Sequence, residues 1–207
     1  MHEIKYNPNR RSFLKKSFIA GTGTMISGAA LMTACNDKSG EEVSPAEDLM
    51  REHGVLNRIL LIYDNCSSRL TIGKQFSFTA LTDSASIIRN FIEDYHEKLE
   101  EDFLFPRFEK ANQLTDLVAI LRQQHKVGRD LTDNILYLAK SNTLTNDNNK
   151  KLISLLTDFN IMYRPHEARE DTILFPALKK IISSHEYDSL GEDFENKEHE
   201  LFGKDGF

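Results

Sequence analysis

Four stretches of the chain repeat apolar residues at intervals of three and four, the spacing that lines side chains along one face of an α-helix. The first stripe holds Leu49, Leu56, Leu60 and Tyr63, and the second Ile88, Ile92, Leu99 and Phe103. The third runs through Leu117, Leu121, Gly128, Leu131, Ile135 and Leu138, and the fourth through Leu152, Leu155, Phe159, Met162 and Ile173. Residues 71–78, with Gly73, and the Asn/Thr/Asp-rich residues 142–149 read as connections. Asp83 or Ser84 is predicted to cap the second helix, and the third is predicted to start near Thr115. Pro165 and Pro176 fall inside the fourth stripe, where the missing backbone donor predicts a kink or break. A further amphipathic segment, Glu186 to Phe202, is predicted as a short extra helix at the bundle end, ahead of a loose tail. The pattern predicts an all-α, up-down four-helix bundle with a short C-terminal helix.

Each stripe is interrupted by one histidine: His53, His96, His125 and His166. Around two of them the sequence repeats. Residues 96–106 and 166–176 share the form HExxE-x3-LFP, so His96, Glu100 and Pro106 match His166, Glu170 and Pro176 at an offset of 70 residues. A histidine and a glutamate four residues apart stand one above the other on a helix face. His53 to His96 spans 43 residues and His125 to His166 spans 41, about what a helical hairpin needs to return to the same level at 1.5 Å per residue. Two hairpins would thus each bring one His from the first helix and a His-x3-Glu pair from the second to a common depth.

Four imidazoles and two carboxylates suit borderline transition metals. A tetrahedral zinc site needs only four ligands, whereas six in two matching sets fit a dinuclear centre in which Glu100 and Glu170 bridge the pair. Iron is favoured because mixed N/O ligation with open positions supports oxygen chemistry, with manganese or zinc as alternatives. A lone histidine on an apolar face is ordinarily a hydrogen-bonded core residue. Four at corresponding heights beside two i+4 glutamates reverse that reading.

Composition narrows the class. The chain has 207 residues and a formal charge of −6, which argues against a nucleic-acid partner. Residues 1–35 hold five of the 26 Lys/Arg and one of the 32 Asp/Glu, so the remainder is more acidic, at a formal −10. Asn9-Arg10-Arg11-Ser12-Phe13-Leu14-Lys15 resembles a twin-arginine export signal, and Met32-Thr33-Ala34-Cys35 resembles a lipobox. The uncharged run from Ser17 to Ala34 is too short and weakly apolar for a membrane span. Residues 1–35 are therefore read as a signal peptide carrying Arg10 and Arg11, with Cys35 the lipidated first residue of an exported, membrane-anchored protein in the periplasm or cell envelope. Residues 36–46 read as a flexible tether and 47–207 as the helical bundle.

The helix-borne His53, His96-x3-Glu100, His125 and His166-x3-Glu170 resemble the hemerythrin-like (HHE cation-binding) family over about residues 47–207. The resemblance implies a four-helix bundle with a non-haem di-iron centre, in a family of oxygen carriers, oxygen or redox sensors and iron-responsive proteins. The oxygen carriers have a second histidine four residues after the third-helix ligand, where this chain has Arg129. They also use an aspartate five residues after the last histidine, an offset held here by Asp171. Glu170 stays closer to the face of His166 and is the preferred ligand, with Asp171 the alternative. Losing one imidazole argues against simple oxygen carriage and predicts a more open iron position.

Other candidates receive plainer readings. Glu97 and Glu167 are assigned to exposed helix faces, with hydrogen bonding to an imidazole as the other possibility, and Glu101 and Asp102 to solvent. His2, His185 and His199 fall outside the stripes and read as surface residues. Cys66 reads as a small buried residue, and Tyr63, Tyr95 and Tyr163 as core packing. Leu104-Phe105-Pro106 and Leu174-Phe175-Pro176 are expected to end or bend their helices. The chain offers no Ser/His/Asp set, phosphate-binding glycine loop or redox cysteine pair, which leans away from a conventional enzyme. The sequence reading is of dioxygen or another small redox molecule bound at a di-iron site for sensing, storage or scavenging. Alternatives are a di-iron enzyme removing peroxide or nitric oxide, and an iron-buffering module without turnover.

Overall fold

A computed structural model describes residues 43–141 and 144–204, whose regular structure is five helices, with no strand among the described residues. Helix α1 is Pro45–Thr71, started by the Ser44 side chain, which accepts from the Glu47 amide. Helix α2 runs without a break over 78–111, α3 is Thr115–Ala139, α4 runs over 146–181, and α5 is Ser184–Phe202. Arg10, Arg11 and Cys35 lie outside the described residues. Among the described residues no helix is long and apolar enough to cross a membrane.

The first four helices form a ring of neighbours: α1 packs on α2 and α4, and α3 on α2 and α4. Their shared interior is built from the expected stripes, with Leu49, Leu56, Leu60, Ile88, Ile92, Leu121, Leu152 and Phe159 all buried. Burying a side chain of this size contributes about 1.5–3 kcal/mol, so the apolar stripes carry the fold while the histidines ride on them. Asn160 ties α1 to α4, its buried amide donating to Leu60 O at 2.9 Å and to Asp64 Oδ1 at 2.7 Å.

Several local expectations are corrected. Ser77, not Asp83 or Ser84, caps α2, accepting from the Ala80 amide at 3.1 Å. The connection before α4 is shorter than expected, because Thr145 caps a helix that already begins at Asn146. Neither proline breaks α4: Pro165 lies inside the regular helix Asn146–Arg169, and the chain stays helical through Pro176. The Leu-Phe-Pro motifs do not end their helices either. In both, a π-helical turn comes just before the proline, at Glu100–Leu104 and at Glu170–Leu174. The amides of Phe105 and Phe175 reach back to the carbonyls of Glu100 and Glu170. These wider turns let the helix pass a residue that lacks a donor.

Wide turns also change the phase of the buried face. With a second π stretch at Ile88–His96, α2 buries every fourth residue from Ile88 through Ile92, His96, Glu100 and Leu104 to Phe108. In α4, Leu174 is buried whereas Ile173, assigned to the inner stripe, is 46% exposed. Before that turn, in the regular helix Asn146–Arg169, Leu156 and Tyr163 are buried where Leu155 and Met162 were expected.

Gly128 is demanded by packing. A Cβ there would lie 2.0 Å from the hydroxyl oxygen of Tyr163 and 2.8 Å from its Cζ. Gly128→Ala is expected to destabilise the protein by about 1–3 kcal/mol, the usual cost of overpacking, measured by urea unfolding. Adding Tyr163→Phe should recover part of that loss. An unchanged midpoint for the single variant would refute the tight fit.

Candidate metal centre

The wide turns and the four-step spacing aim side chains from all four bundle helices at a common point. His53 from α1, His96 and Glu100 from α2, His125 from α3, and His166 and Glu170 from α4 are all buried, none more than 2% exposed. They fall into two groups of possible metal ligands: His53, His96, Glu100 and Glu170, and Glu100, His125, His166 and Glu170. Within each group the donor atoms lie within 4.8 Å of one another. Both glutamates belong to both groups. Their carboxylates stand between the two imidazole pairs, with His53 Nε2 3.4 Å from Glu170 Oε2 and His166 Nε2 3.0 Å from Glu170 Oε1. On the other carboxylate, His125 Nε2 is 3.4 Å from Glu100 Oε2 and His96 Nε2 is 3.9 Å from Oε1.

All four Nε2 atoms turn inward because all four Nδ1 atoms are engaged outside. The ring Nδ1–H groups donate from His53 to Asp171 at 2.8 Å and from His96 to Glu52 at 2.7 Å. Those of His125 and His166 donate to Glu101 at 3.1 Å and to Gln124 at 3.0 Å. Such outer partners fix the tautomer that leaves the Nε2 lone pair for a metal and raise its basicity. Phe175 stacks on His53 and Phe105 on His125, so each Leu-Phe-Pro motif holds the first-helix histidine of the other hairpin.

Electrostatics makes this cage a poor resting place for bare carboxylates. None of the four oxygens of Glu100 and Glu170 makes a hydrogen bond of acceptable geometry, although unpaired buried charge is costly. Burial and then the charge of Glu170 push the Glu100 carboxyl well above its usual range. For Glu170, burial is outweighed by His166 and His53, which hold it well below. Burial and neighbouring His53 push His96 down to about 3, and burial takes His125 to about 4 against the pull of Glu101. At His53 burial is overcome by Asp171 and Glu170, which raise it to about 10. Orphaned carboxylate oxygens facing imidazole lone pairs fit a pair of cations, which would satisfy both.

Of the two acids weighed after His166, the preferred Glu170 lies inside the cage and the alternative, Asp171, lies outside it on His53 Nδ1. Other assignments change. Glu101, assigned to solvent, is half-buried and holds His125. Glu97, assigned to an exposed face, is 1% exposed, because α3 closes against that side of α2. It accepts from the Tyr163 hydroxyl at 2.7 Å, and Arg129 lies 2.8 Å from both Glu97 and Glu101. Arg129 therefore bridges two carboxylates beside the cage. Glu167 is half-buried and accepts from Asn57. Cys66 is a buried free thiol, as expected. Glu52 and Gln124 had no motif of their own. Their signal was positional, since each precedes the first histidine of its hairpin, just as Glu101 and Asp171 follow the two cage glutamates.

Comparison with known proteins agrees with this geometry. The family model for the hemerythrin HHE cation binding domain matches residues 44–178 and again 116–203. The chain belongs to the hemerythrin HHE cation-binding family. Uncharacterized proteins of Mycobacterium bovis and of two strains of Mycobacterium tuberculosis are 46% identical over 166 residues. Those alignments cover 80% of this chain and 65% of each relative, so the chain spans just under two thirds of the curated proteins it matches. No solved structure matches it significantly. Family and cage together identify a metal-binding protein of a class whose metal is typically iron.

Metal ligation needs neutral imidazoles and ionised carboxylates. Below pH 10 His53 holds a proton that a cation must displace, and burial beside Glu170 favours the protonated form of Glu100 as well. Binding at pH 7 is therefore expected to release protons, the one on His53 among them, and to tighten as pH rises. Calorimetry in buffers of different ionisation enthalpy measures this; a buffer-independent heat would contradict it.

Proposed function

We propose that the chain holds two iron ions in an up-down bundle of its first four helices, and that it binds dioxygen or another small redox molecule for sensing, storage or scavenging. The observation that carries this reading is the pair of four-donor groups sharing Glu100 and Glu170. One shared carboxylate could belong to a single ion with spare ligands; two shared carboxylates between two imidazole pairs suit two ions. His53 and His96 would hold one ion and His125 and His166 the other, with Glu100 and Glu170 in reach of both positions. Bound iron would supply redox-active positions open to a small ligand. The chain's own residues orient the imidazoles through Asp171, Glu52, Glu101 and Gln124, and stack Phe175 on His53 and Phe105 on His125.

Absorbance of iron-loaded protein tests the reading. Charge-transfer bands that appear with oxygen and reverse on its removal are expected. Sustained peroxide or nitric oxide loss with turnover would instead support an enzyme. Two irons per chain with no response to either would leave an iron-buffering module, and recovery of zinc alone from the native host would refute the iron assignment.

The same proposal places the protein outside the inner membrane, exported through the Arg10-Arg11 signal and anchored by lipid on Cys35. Support comes from the sequence of residues 1–35. A palmitate analogue is expected to label the chain in its host and to be lost in Cys35→Ala; label that survives the substitution would refute the anchor.

A further inference from the structure

The two halves of the cage match in their ligands and flanking acids and differ at two positions on the first helix of each hairpin. In each half the glutamate after the second-helix histidine (Glu97 or Glu167) and the acid after the cage glutamate (Glu101 or Asp171) flank the first-helix histidine of one hairpin. Around His125 that flank is Glu97 and Glu101, and around His53 it is Glu167 and Asp171. The first difference stands one residue before the first-helix histidine: Glu52 receives the His96 Nδ1 proton, whereas the neutral Gln124 receives that of His166. The second stands four residues after it. Arg129 places its guanidinium 2.8 Å from both Glu97 and Glu101, whereas Asn57 offers Glu167 only a neutral amide. Lys98 adds a second cation on Glu101 from the solvent side.

Both differences act in the same direction. Counted formally with every acid ionised, these two positions make the surroundings of His53 and His96 two charges more negative than those of His125 and His166, and Lys98, matched by Ala168 in the other half, widens the gap. The donors directed at the metals are matched, two imidazoles and the same two carboxylates on each side. A carboxylate on Nδ1 makes an imidazole a stronger donor than an amide does, and negative charge at short range in a buried site favours a cation more than the same charge in water.

We infer that the two metal positions are unequal, and that Glu52, Asn57, Gln124 and Arg129 make the His53/His96 position the one that takes the first cation. This rests on the reading of the cage as a two-metal site. Order of filling matters for such a site because the second ion enters a cage already carrying a like charge on the shared carboxylates. Arg129 has in this view a positive role: it lowers the pull of one half for a cation without touching the metal, acting through Glu101 and Glu97.

The test uses the full chain, freed of metal and labelled with 15N in its histidines, titrated with Zn(II) alone and followed by NMR of the ring nitrogens. At half an equivalent, the ligated signals of His53 and His96 are expected to exceed those of His125 and His166 by about fivefold or more. Combining Gln124→Glu with Arg129→Asn gives the second half the residues of the first and is expected to bring the ratio near one. Glu52→Gln, a milder change in the native background, should lower the ratio on its own and keeps the idea testable if the double variant does not fold. Equal filling of the native halves, the opposite order, or a preference that survives these variants overturns the inference. If none of the four imidazoles is ligated even at two equivalents, the two-metal reading itself fails, which is a separate outcome.

Discussion

Two carboxylates buried side by side with no hydrogen bond are the constraint around which this protein is arranged. Glu100 and Glu170 are fully buried, and each faces imidazole nitrogens across 3–4 Å. Leaving such charges unpaired in a low-dielectric interior costs several kcal/mol per ion. The cost is offset only by cations, protons or both. The four histidines, their outward hydrogen bonds and the stacking phenylalanines make a cage that holds those carboxylates together against their repulsion and presents nitrogen donors to whatever neutralises them.

That arrangement explains features of the backbone that the apolar stripes alone would not require. A regular α-helix carries a residue and the one four positions later about 40° apart. The π turns at Glu100–Leu104 and Glu170–Leu174 widen the turn that begins at each cage glutamate. They keep Glu100 with Leu104, and Glu170 with Leu174, on the buried face, and deliver Phe105 and Phe175 to the imidazoles of the opposite hairpin. π turns of this kind recur at functional sites because they spend local regularity on the direction of a side chain.

The same logic gives meaning to a buried polar layer outside the cage. Tyr163, Glu97, Arg129 and Glu101 form a connected set reaching from α4 through α2 to α3, and Gly128 leaves the room that the Tyr163 hydroxyl needs. Arg129 stands where the oxygen-carrying members have a further histidine, and its charge is used on carboxylates rather than on metal. The chain thus keeps the family's duplicated scaffold while changing the electrostatics around one half of it.

Much of this was legible in the sequence. The helical class, the four histidines at a common depth and the repeated His-x3-Glu pairs follow from spacing, because a helix converts sequence distance directly into direction. Membership of the metal-binding family followed from the same residues. The loop ends, the fate of the two prolines and the burial of Leu156, Tyr163 and Leu174 in place of their neighbours did not follow: the wide turn at Glu170–Leu174 shifts the face at Leu174, and packing against the neighbouring helices decides which side of the regular helix before it is buried. Nor did the outer partners. Glu52, Glu101, Gln124 and Asp171 sit beside a ligand in sequence, yet each acts on a histidine of another helix. Glu97 looks like one more charge on an outer face until α3 closes over it. Sequence by itself determined which side chains share a helix face. Which face meets which was decided only by the packing of four helices, because partners far apart along the chain are joined by tertiary contact alone.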